Sequence, residues 1–448
     1  MMKNDIRHIT LGLALAVLAL AGCTGMQEKD LFEESPALRI EHSANKLKEI
    51  LVSAPNGWVM QYYTGDAISV FEGFNLFARF ENSGKVTIAG NHRFLRDGNK
   101  NKYTEASSLY ELLREDGLVL AFNTWNDVLT PFVDPVAFWA APENLFKDGE
   151  GMMGDQNLVV TSMTQNEIRL RGERYRGNVR LIRADRDWKT YISDTEEMKK
   201  FITSDKIDTY YLMAGNELMY CVGLRNGRYR LSEKINNYLK DDSISCCFTP
   251  TGLYNEEPDT VAGHIFQEFK LNDERTALVN EDGTVRLVAT WDTYFVESSD
   301  IKWMDPETMS ENIKTLFSQV DTDLKAIGKT YTLQRIGFGR SQKEELDYVD
   351  GLVLEWLPSK RAKPVVGGLA MKYSLPKIGQ VTYTYDENAK ADEKLKSELF
   401  KKPAVEASVR QLAAALAGTY QMTPDNTFNP TSVQFQTLDG AKSFSLGF

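Results

Sequence analysis

The residue types that carry most enzyme chemistry are sparse in this sequence, and their spacing matches no catalytic motif. After residue 22 the chain has three histidines, each isolated from the others: His42, His92 and His264. The paired histidines that hold zinc on one helix face are therefore missing, as is a Gly-x-Ser-x-Gly nucleophile elbow. A carboxylate cluster such as Glu256, Glu257 and Asp259 could serve a glycosidase only at a defined separation across a cleft, and such clusters are more often solvated loops. The sequence indicates no catalytic residue, no metal site and no cofactor.

One glycine-rich stretch has the spacing of the dinucleotide-binding fingerprint. Residues 149–154 read GEGMMG, which matches G-x-G-x-x-G. In a nucleotide-binding fold a strand precedes this motif and a helix follows it, so that the helix amino terminus holds the pyrophosphate. Here no strand pattern enters the motif, and the strand pattern of residues 158–163 follows it. We therefore interpret the stretch as a flexible glycine loop.

Cys23 lies where a different chemistry is expected, the covalent attachment of lipid. Lys3 and Arg7 form a basic start, and the apolar stretch of residues 9–20 is too short to span a bilayer, as in a secretory signal. Residues 20–23, LAGC, resemble the bacterial lipobox, in which the thiol is alkylated by diacylglycerol and the peptide is cut before the cysteine. Several acyl chains anchor a protein firmly without a transmembrane helix. An ordinary signal peptide with a chance cysteine is the alternative.

A polar, acidic stretch follows the predicted attachment site. Residues 27–30, QEKD, resemble the surface-export signal of Bacteroidetes lipoproteins, and a solvated spacer is the alternative. We therefore expect a protein that is lipid-anchored in the outer membrane and faces the cell exterior. Removal of residues 1–22 changes the formal net charge from −11 to −12, because Lys3, Arg7 and Asp5 are lost. An acidic surface argues against a nucleic-acid partner.

Three further cysteines remain after Cys23, namely Cys221, Cys246 and Cys247. An odd number permits at most one disulfide with one thiol left over. Cys246 and Cys247 are adjacent in the strand-like SISCCFT, so their side chains should point to opposite faces of a sheet. We expect three buried thiols, and a disulfide to Cys221 is the alternative.

Aromatic side chains in a turn-rich segment provide the candidate binding residues. Trp125 lies among Asn123, Asn126 and Asp127, and the prolines at 131 and 135 should interrupt strand pairing and place this segment in a connecting loop. An indole beside amide groups suits a sugar ring or a peptide. The candidate ligand-binding residues are Trp125, Asn126, Asp127 and Trp139. Packing of Trp125 in a core is the alternative, and core or sheet-face positions are expected for aromatics in strand patterns: Tyr62, Tyr63, Trp291 and Trp356.

The elements that position these residues follow from hydrophobic spacing. A helix is predicted from Ser35, with Ile40, Ala44, Leu47 and Leu51 on one stripe, and residues 53–57 end it. Alternating segments with short turns then predict an antiparallel β meander. A helical pattern followed by a strand pattern that contains tyrosine occurs three times, around residues 198–211, 309–331 and 405–420.

These patterns predict a β-rich α+β protein of successive antiparallel β-meander units, barrel-like or sandwich-like, with a few packed amphipathic helices. A parallel α/β sheet is disfavoured because strands come in consecutive runs. The hydrophobic content of 42% is ample for several cores. In chain order, the predicted segments are the signal peptide 1–22, the acidic tether 23–33, a helix plus β domain 34–188, a second β-rich unit 189–300, and a helix plus β unit 301–448.

Several segments of the first half resemble a Bacteroidetes outer-membrane lipoprotein family of unknown function. They are EESPALR at 33–39, SAPNGW at 53–58, LAFNTWNDVL and FVDP within 120–135, and GDQNLVV and EIRLRGERYRGN within 154–178. The resemblance extends over roughly residues 30–190. The family is typically encoded beside SusC- and SusD-like uptake proteins, so the resemblance implies a setting but no site residues.

The function expected from this predicted location and family setting is that of a lipid-anchored accessory protein of a SusC/SusD-like nutrient importer. It would bind a peptide or glycan, or dock on the transporter. A surface hydrolase that trims the imported nutrient is one alternative. A structural surface lipoprotein without a small ligand is another.

Overall fold

The computed structural model describes residues 35–65, 72–96, 98–114, 117–134, 152–234, 237–238, 243–341 and 348–448. Cys23, Trp139, the predicted signal peptide and tether, and residues 149–151 of the glycine loop lie outside these ranges. None of the helices within them combines the length and apolarity needed to cross a bilayer. The described α-helices are α1 (Pro36–Val52), α2 (Thr130–Val133), α3 (Trp188–Ile202), α4 (Trp291–Glu297), α5 (Glu311–Leu324) and α6 (Pro403–Leu416).

The first unit is a closed, antiparallel eight-stranded barrel in which each strand pairs with the next and the last pairs with the first. Apolar residues alternate inward along these strands, which gives the barrel its core. The strands are β1 (Trp58–Tyr62), β2 (Phe74–Phe80), β3 (Lys85–Gly90), β4 (Thr104–Arg114), β5 (Leu118–Phe122), β6 (Asn157–Met163), β7 (Glu167–Gly172) and β8 (Asn178–Arg183).

Helix α1 belongs to the core of the first barrel. Ser35 caps its amino terminus by accepting a hydrogen bond from the Leu38 amide, and Pro36 occupies the first turn. The apolar stripe packs inward, with Leu47 and Leu51 fully buried. The Trp58 indole N–H donates to the Leu51 carbonyl at 2.9 Å, which ties the helix to β1.

The second unit follows α3, which begins after the capping side chain of Asp187. Its sheet has the order β10-β9-β17-β16-β15-β14-β13-β11-β12, and β10 also pairs with β11, which closes a second ring of strands. The strands are β9 (Thr209–Ala214), β10 (Glu217–Val222), β11 (Arg228–Lys234), β12 (Asn237–Tyr238), β13 (Ile244–Thr249), β14 (Gly252–Val261), β15 (His264–Leu271), β16 (Leu278–Val279) and β17 (Val285–Ala289).

The third unit is an open sheet with the order β21-β20-β19-β18-β26-β25-β24-β23-β22. Helices α5 and α6 pack against each other and join its core. The strands are β18 (Lys302–Met304), β19 (Thr332–Arg340), β20 (Asp350–Leu357), β21 (Val365–Ala370), β22 (Lys372–Lys377), β23 (Gln380–Thr384), β24 (Gly418–Pro424), β25 (Ser432–Thr437) and β26 (Ser443–Gly447).

The predicted fold class is confirmed, since successive antiparallel sheets carry a few packed amphipathic helices. The three later cysteines are buried free thiols, as expected. One local prediction was wrong: Trp291, read as part of a strand, is the first residue of α4. It is nevertheless buried, because α4 fills the space between the second ring and the third sheet.

Candidate functional site

Trp125 lies on the surface of the first barrel, in the turn that follows β5. Its side chain is 48% exposed, so it does not fill the core. The indole N–H donates to Asp127 Oδ1 at 2.7 Å, and the Arg96 guanidinium carbon lies 5.5 Å from the ring centroid. The turn is joined to β4 because the Leu109 amide donates to Thr124 Oγ1 at 2.8 Å. Trp125, Asp127 and Arg96 are called the Trp125 surface below.

Asn126 faces inward and fixes this turn. Its amide nitrogen donates to the Ala106 carbonyl and to Ser108 Oγ, both at 3.1 Å. Its Oδ1 accepts from the amides of Val128 and Leu129 at 3.0 and 3.2 Å. With 1% of its surface exposed, Asn126 positions the turn and has no free face for a ligand. The four hydrogen bonds hold Trp125 in a defined place before any ligand arrives.

The described part of the glycine motif, residues 152–154, lies at the end of the barrel, and a strand follows it. Gly154 packs so closely that a Cβ there would lie 2.6 Å from the Phe132 carbonyl and from the Tyr62 hydroxyl. The next residue, Asp155, accepts hydrogen bonds from the amides of Arg174 and Tyr175 at 3.0 and 2.9 Å. Burial raises the pKa of Asp155 despite these bonds. Strand β6 follows, as predicted, so this segment closes the end of the barrel.

A cleft separates the first barrel from the second ring. It consists of two adjoining cavities of about 480 and 250 Å³ that share Arg169, Arg180 and Tyr254. Arg169 and Arg180 point outward from β7 and β8, and Tyr254 comes from β14. The Arg180 guanidinium carbon lies 4.0 Å from the centroid of the Tyr254 ring, and Arg169 donates to the Tyr254 hydroxyl at 3.2 Å. The two cavities with these shared residues are called the inter-barrel cleft below.

Within the ranges that the structure describes, no three histidine, cysteine, aspartate or glutamate side chains are arranged to hold a metal ion. His92 is buried under the Trp125 turn, and His264 lies at the start of β15. The two surfaces offer groups for contact with a ligand: an exposed indole at one and guanidinium groups beside a phenol at the other.

A family model described as a domain of unknown function (DUF4302) matches residues 28–273, more than half of the chain. The chain belongs to this family. The DUF4302 match covers α1, the first barrel, and the second ring as far as β15, so it includes the Trp125 surface and the arginines of the cleft. A comparison with curated proteins found no match.

Sequence reasoning named Trp125 and Asp127, but it missed Arg96 and the inter-barrel cleft of this DUF4302 protein. The signal available was the outward row of arginines in residues 167–183, where apolar and charged residues alternate. Alternation predicts which side chains leave the barrel, but it gives no partner for them. Tyr254, which completes the cleft, lies 85 residues beyond Arg169.

Proposed function

We propose that this DUF4302 protein is a lipid-anchored protein of the outer cell surface that binds a peptide or glycan for a SusC/SusD-like importer. The address rests on the LAGC sequence at residues 20–23 and on the acidic stretch that follows it. The importer setting rests on the resemblance of residues 30–190 to Bacteroidetes surface lipoproteins. Both come from the sequence and are tested separately from ligand binding.

The observation that carries the binding function is the exposed, pre-positioned indole of Trp125. A large apolar ring half exposed to water gains contact area when a ligand covers it, and the Asp127 carboxylate and the Arg96 guanidinium beside it supply polar orientation. Because the buried Asn126 already fixes the turn, little conformational entropy is lost on binding. This arrangement suits the face of a sugar ring or a peptide side chain.

The address is tested with Cys23→Ala. Loss of the thiol removes the only atom that the lipobox chemistry can alkylate, so the variant is expected in the soluble or periplasmic fraction instead of the outer membrane. The measurement is membrane fractionation with metabolic labelling by a fatty-acid analogue. Retention of the variant in the outer membrane, or label on the variant, would show that the anchor assignment is wrong.

The binding role is tested with Trp125→Ala. Since the side chain is exposed, the free energy of unfolding should change by less than about 1 kcal/mol, whereas a buried tryptophan such as Trp356 should cost about 3–5 kcal/mol when truncated. Binding to peptide and glycan arrays, or co-purification with the importer, should weaken at least about fivefold.

Leu438→Ala is the matched control for Trp125→Ala, because Leu438 is an exposed apolar residue in the third unit. It should alter neither stability nor binding. A Trp125→Ala protein that binds as the wild type does would remove the Trp125 surface from the proposed function.

A further inference from the structure

The inter-barrel cleft is large enough for a ligand and lies at a junction between two units. Its two cavities together fall within the roughly 300–1,000 Å³ typical of small-ligand sites, which often lie between domains. Ile265, at its edge, is 66% exposed and offers an apolar contact. The cleft lies on the outer faces of β7 and β8, whereas Trp125 lies in the turn after β5.

A continuous polar row leads into the cleft across four strands of the first barrel. Asn75, Gln61, Arg180 and Arg169 are register partners on β2, β1, β8 and β7, and they share the outward face. At one end the second ring covers the row, where the Asn75 amide donates to the Phe248 carbonyl at 2.7 Å. At the other end the two arginines reach the open cleft. The row thus presents its cationic end to solvent.

The arginines keep a net positive charge although they share one carboxylate. Glu167 accepts from Arg169 Nε and from Arg180 Nη2, both at 2.6 Å. Burial alone would raise the pKa of Glu167, but the hydrogen bonds and charges of the two arginines outweigh burial. The pKa is therefore lowered, and the carboxylate is ionised. One negative charge between two guanidinium groups leaves an excess of +1. Arg169 is the more exposed of the two and is available to an incoming anion.

The wall opposite the arginines is acidic and comes from the second ring. At one end of the cleft it carries Glu268, Glu281 and Asp282, and at the other Glu256 and Glu257. Hydrogen bonds from Thr284 lower the pKa of Asp282. Among the described residues, Lys270 is the cation that pairs with Glu268, at 3.4 Å. Cationic and anionic walls therefore face each other along the cleft.

We infer that the inter-barrel cleft binds a peptide that carries both signs of charge, with a carboxylate on Arg169 and basic groups toward the acidic wall. A peptide supplies separated positive and negative groups and an apolar side chain for Ile265. A neutral glycan supplies no charge for either wall. The inference goes beyond the role of Trp125 and does not depend on it.

The test uses four fluorescent pentapeptides and the full mature protein in detergent. The peptides are acetylated and amidated, with Glu or Gln at the centre and Lys or Ala at both ends. Fluorescence anisotropy should show the tightest binding for Lys-Ala-Glu-Ala-Lys. Replacement of the central Glu or of the two Lys should weaken binding at least about tenfold, and salt should weaken it as well.

Arg169→Gln should abolish the preference for the central Glu, and Glu281→Gln with Asp282→Asn should reduce the preference for the flanking Lys. Arg335→Gln is the matched control, because Arg335 on the third sheet has a similar exposure and also pairs with a glutamate. It should bind all four peptides as the wild type does. Melting temperatures check that each variant is folded.

Equal affinity for the four peptides, or an unchanged Glu preference in Arg169→Gln, would overturn the inference. Displacement of the peptide by maltohexaose would assign the cleft to a glycan and would also overturn it. Trp125→Ala should retain the Glu preference. The peptide site in the cleft and the binding role of the Trp125 surface are thus tested with different variants.

Discussion

At the scale of single residues, His92 shows how the first barrel excludes a charge beneath the Trp125 turn. Its Nε2–H donates to the Val128 carbonyl at 3.0 Å, and its ring packs on Phe74, Phe94 and Phe132. No described side chain or backbone group hydrogen-bonds to Nδ1. An imidazolium here would lack a partner for its second proton. Burial therefore lowers the pKa of His92 to about 4.

This lowered pKa predicts a pH dependence of stability. Between the ordinary histidine pKa of 6.5 and about 4, the unfolded chain binds a proton that the folded chain does not, so stability falls as the pH falls. The loss attributable to His92 is about 3 kcal/mol over this window. Urea unfolding of wild type and His92→Gln at pH 7 and pH 4.5 measures most of this loss. The variant should lose less stability on acidification, and an equal loss in both proteins would contradict the assignment.

At the scale of elements, the sequence predicts what local spacing determines. The stripe of α1 is an example, since Ala44, Leu47 and Leu51 are buried as their spacing requires. Trp291 is the opposite case. A short aromatic-rich run is compatible with a strand or a helix, and only its place between two units selects α4.

The candidate sites also contain features that local sequence predicts and features that depend on packing between units. Polar neighbours and prolines correctly placed Trp125 outside the sheets, because proline cannot join a central ladder. They did not separate Asn126 from its neighbours, since an amide that holds a turn and one that meets a ligand look alike in a sequence. The inter-barrel cleft was beyond prediction because Arg169 and Tyr254 meet only after two units have packed together.

At the scale of the whole molecule, the units are joined in two different ways. The second ring and the third sheet share one continuous hydrophobic core, to which α4 contributes Trp291 and Phe295, whereas the first barrel has a separate core. Hydrogen bonds join the first barrel to the second ring: Tyr63 donates to the Tyr254 carbonyl at 3.0 Å, and the Gly73 amide to the Cys246 carbonyl at 3.1 Å. The second junction is a shared apolar core, whereas the first combines these hydrogen bonds with a smaller apolar cluster, in which Phe77 of β2 packs on Trp188 and Tyr191 of α3.

Because of the two adjacent cysteines of β13, thiol alkylation can report when the first barrel separates from the second ring. Cys246 packs inside the second ring, whereas Cys247 faces the first barrel, where a Cβ on Gly73 would lie 2.5 Å from its sulfur. Burial raises the pKa of Cys247 to about 12, so the intact protein should react slowly with N-ethylmaleimide.

As the urea concentration rises, Cys247 should be alkylated when the first barrel separates from the second ring. Cys221 and Cys246 should be alkylated only when the second ring unfolds. In the Cys23→Ala protein, mass spectrometry of quenched samples would count one fast and two slow thiols, and addition of Cys247→Ala should remove the fast one. Alkylation of all three thiols at the same urea concentration would mean that the first barrel and the second ring separate only when the whole chain unfolds.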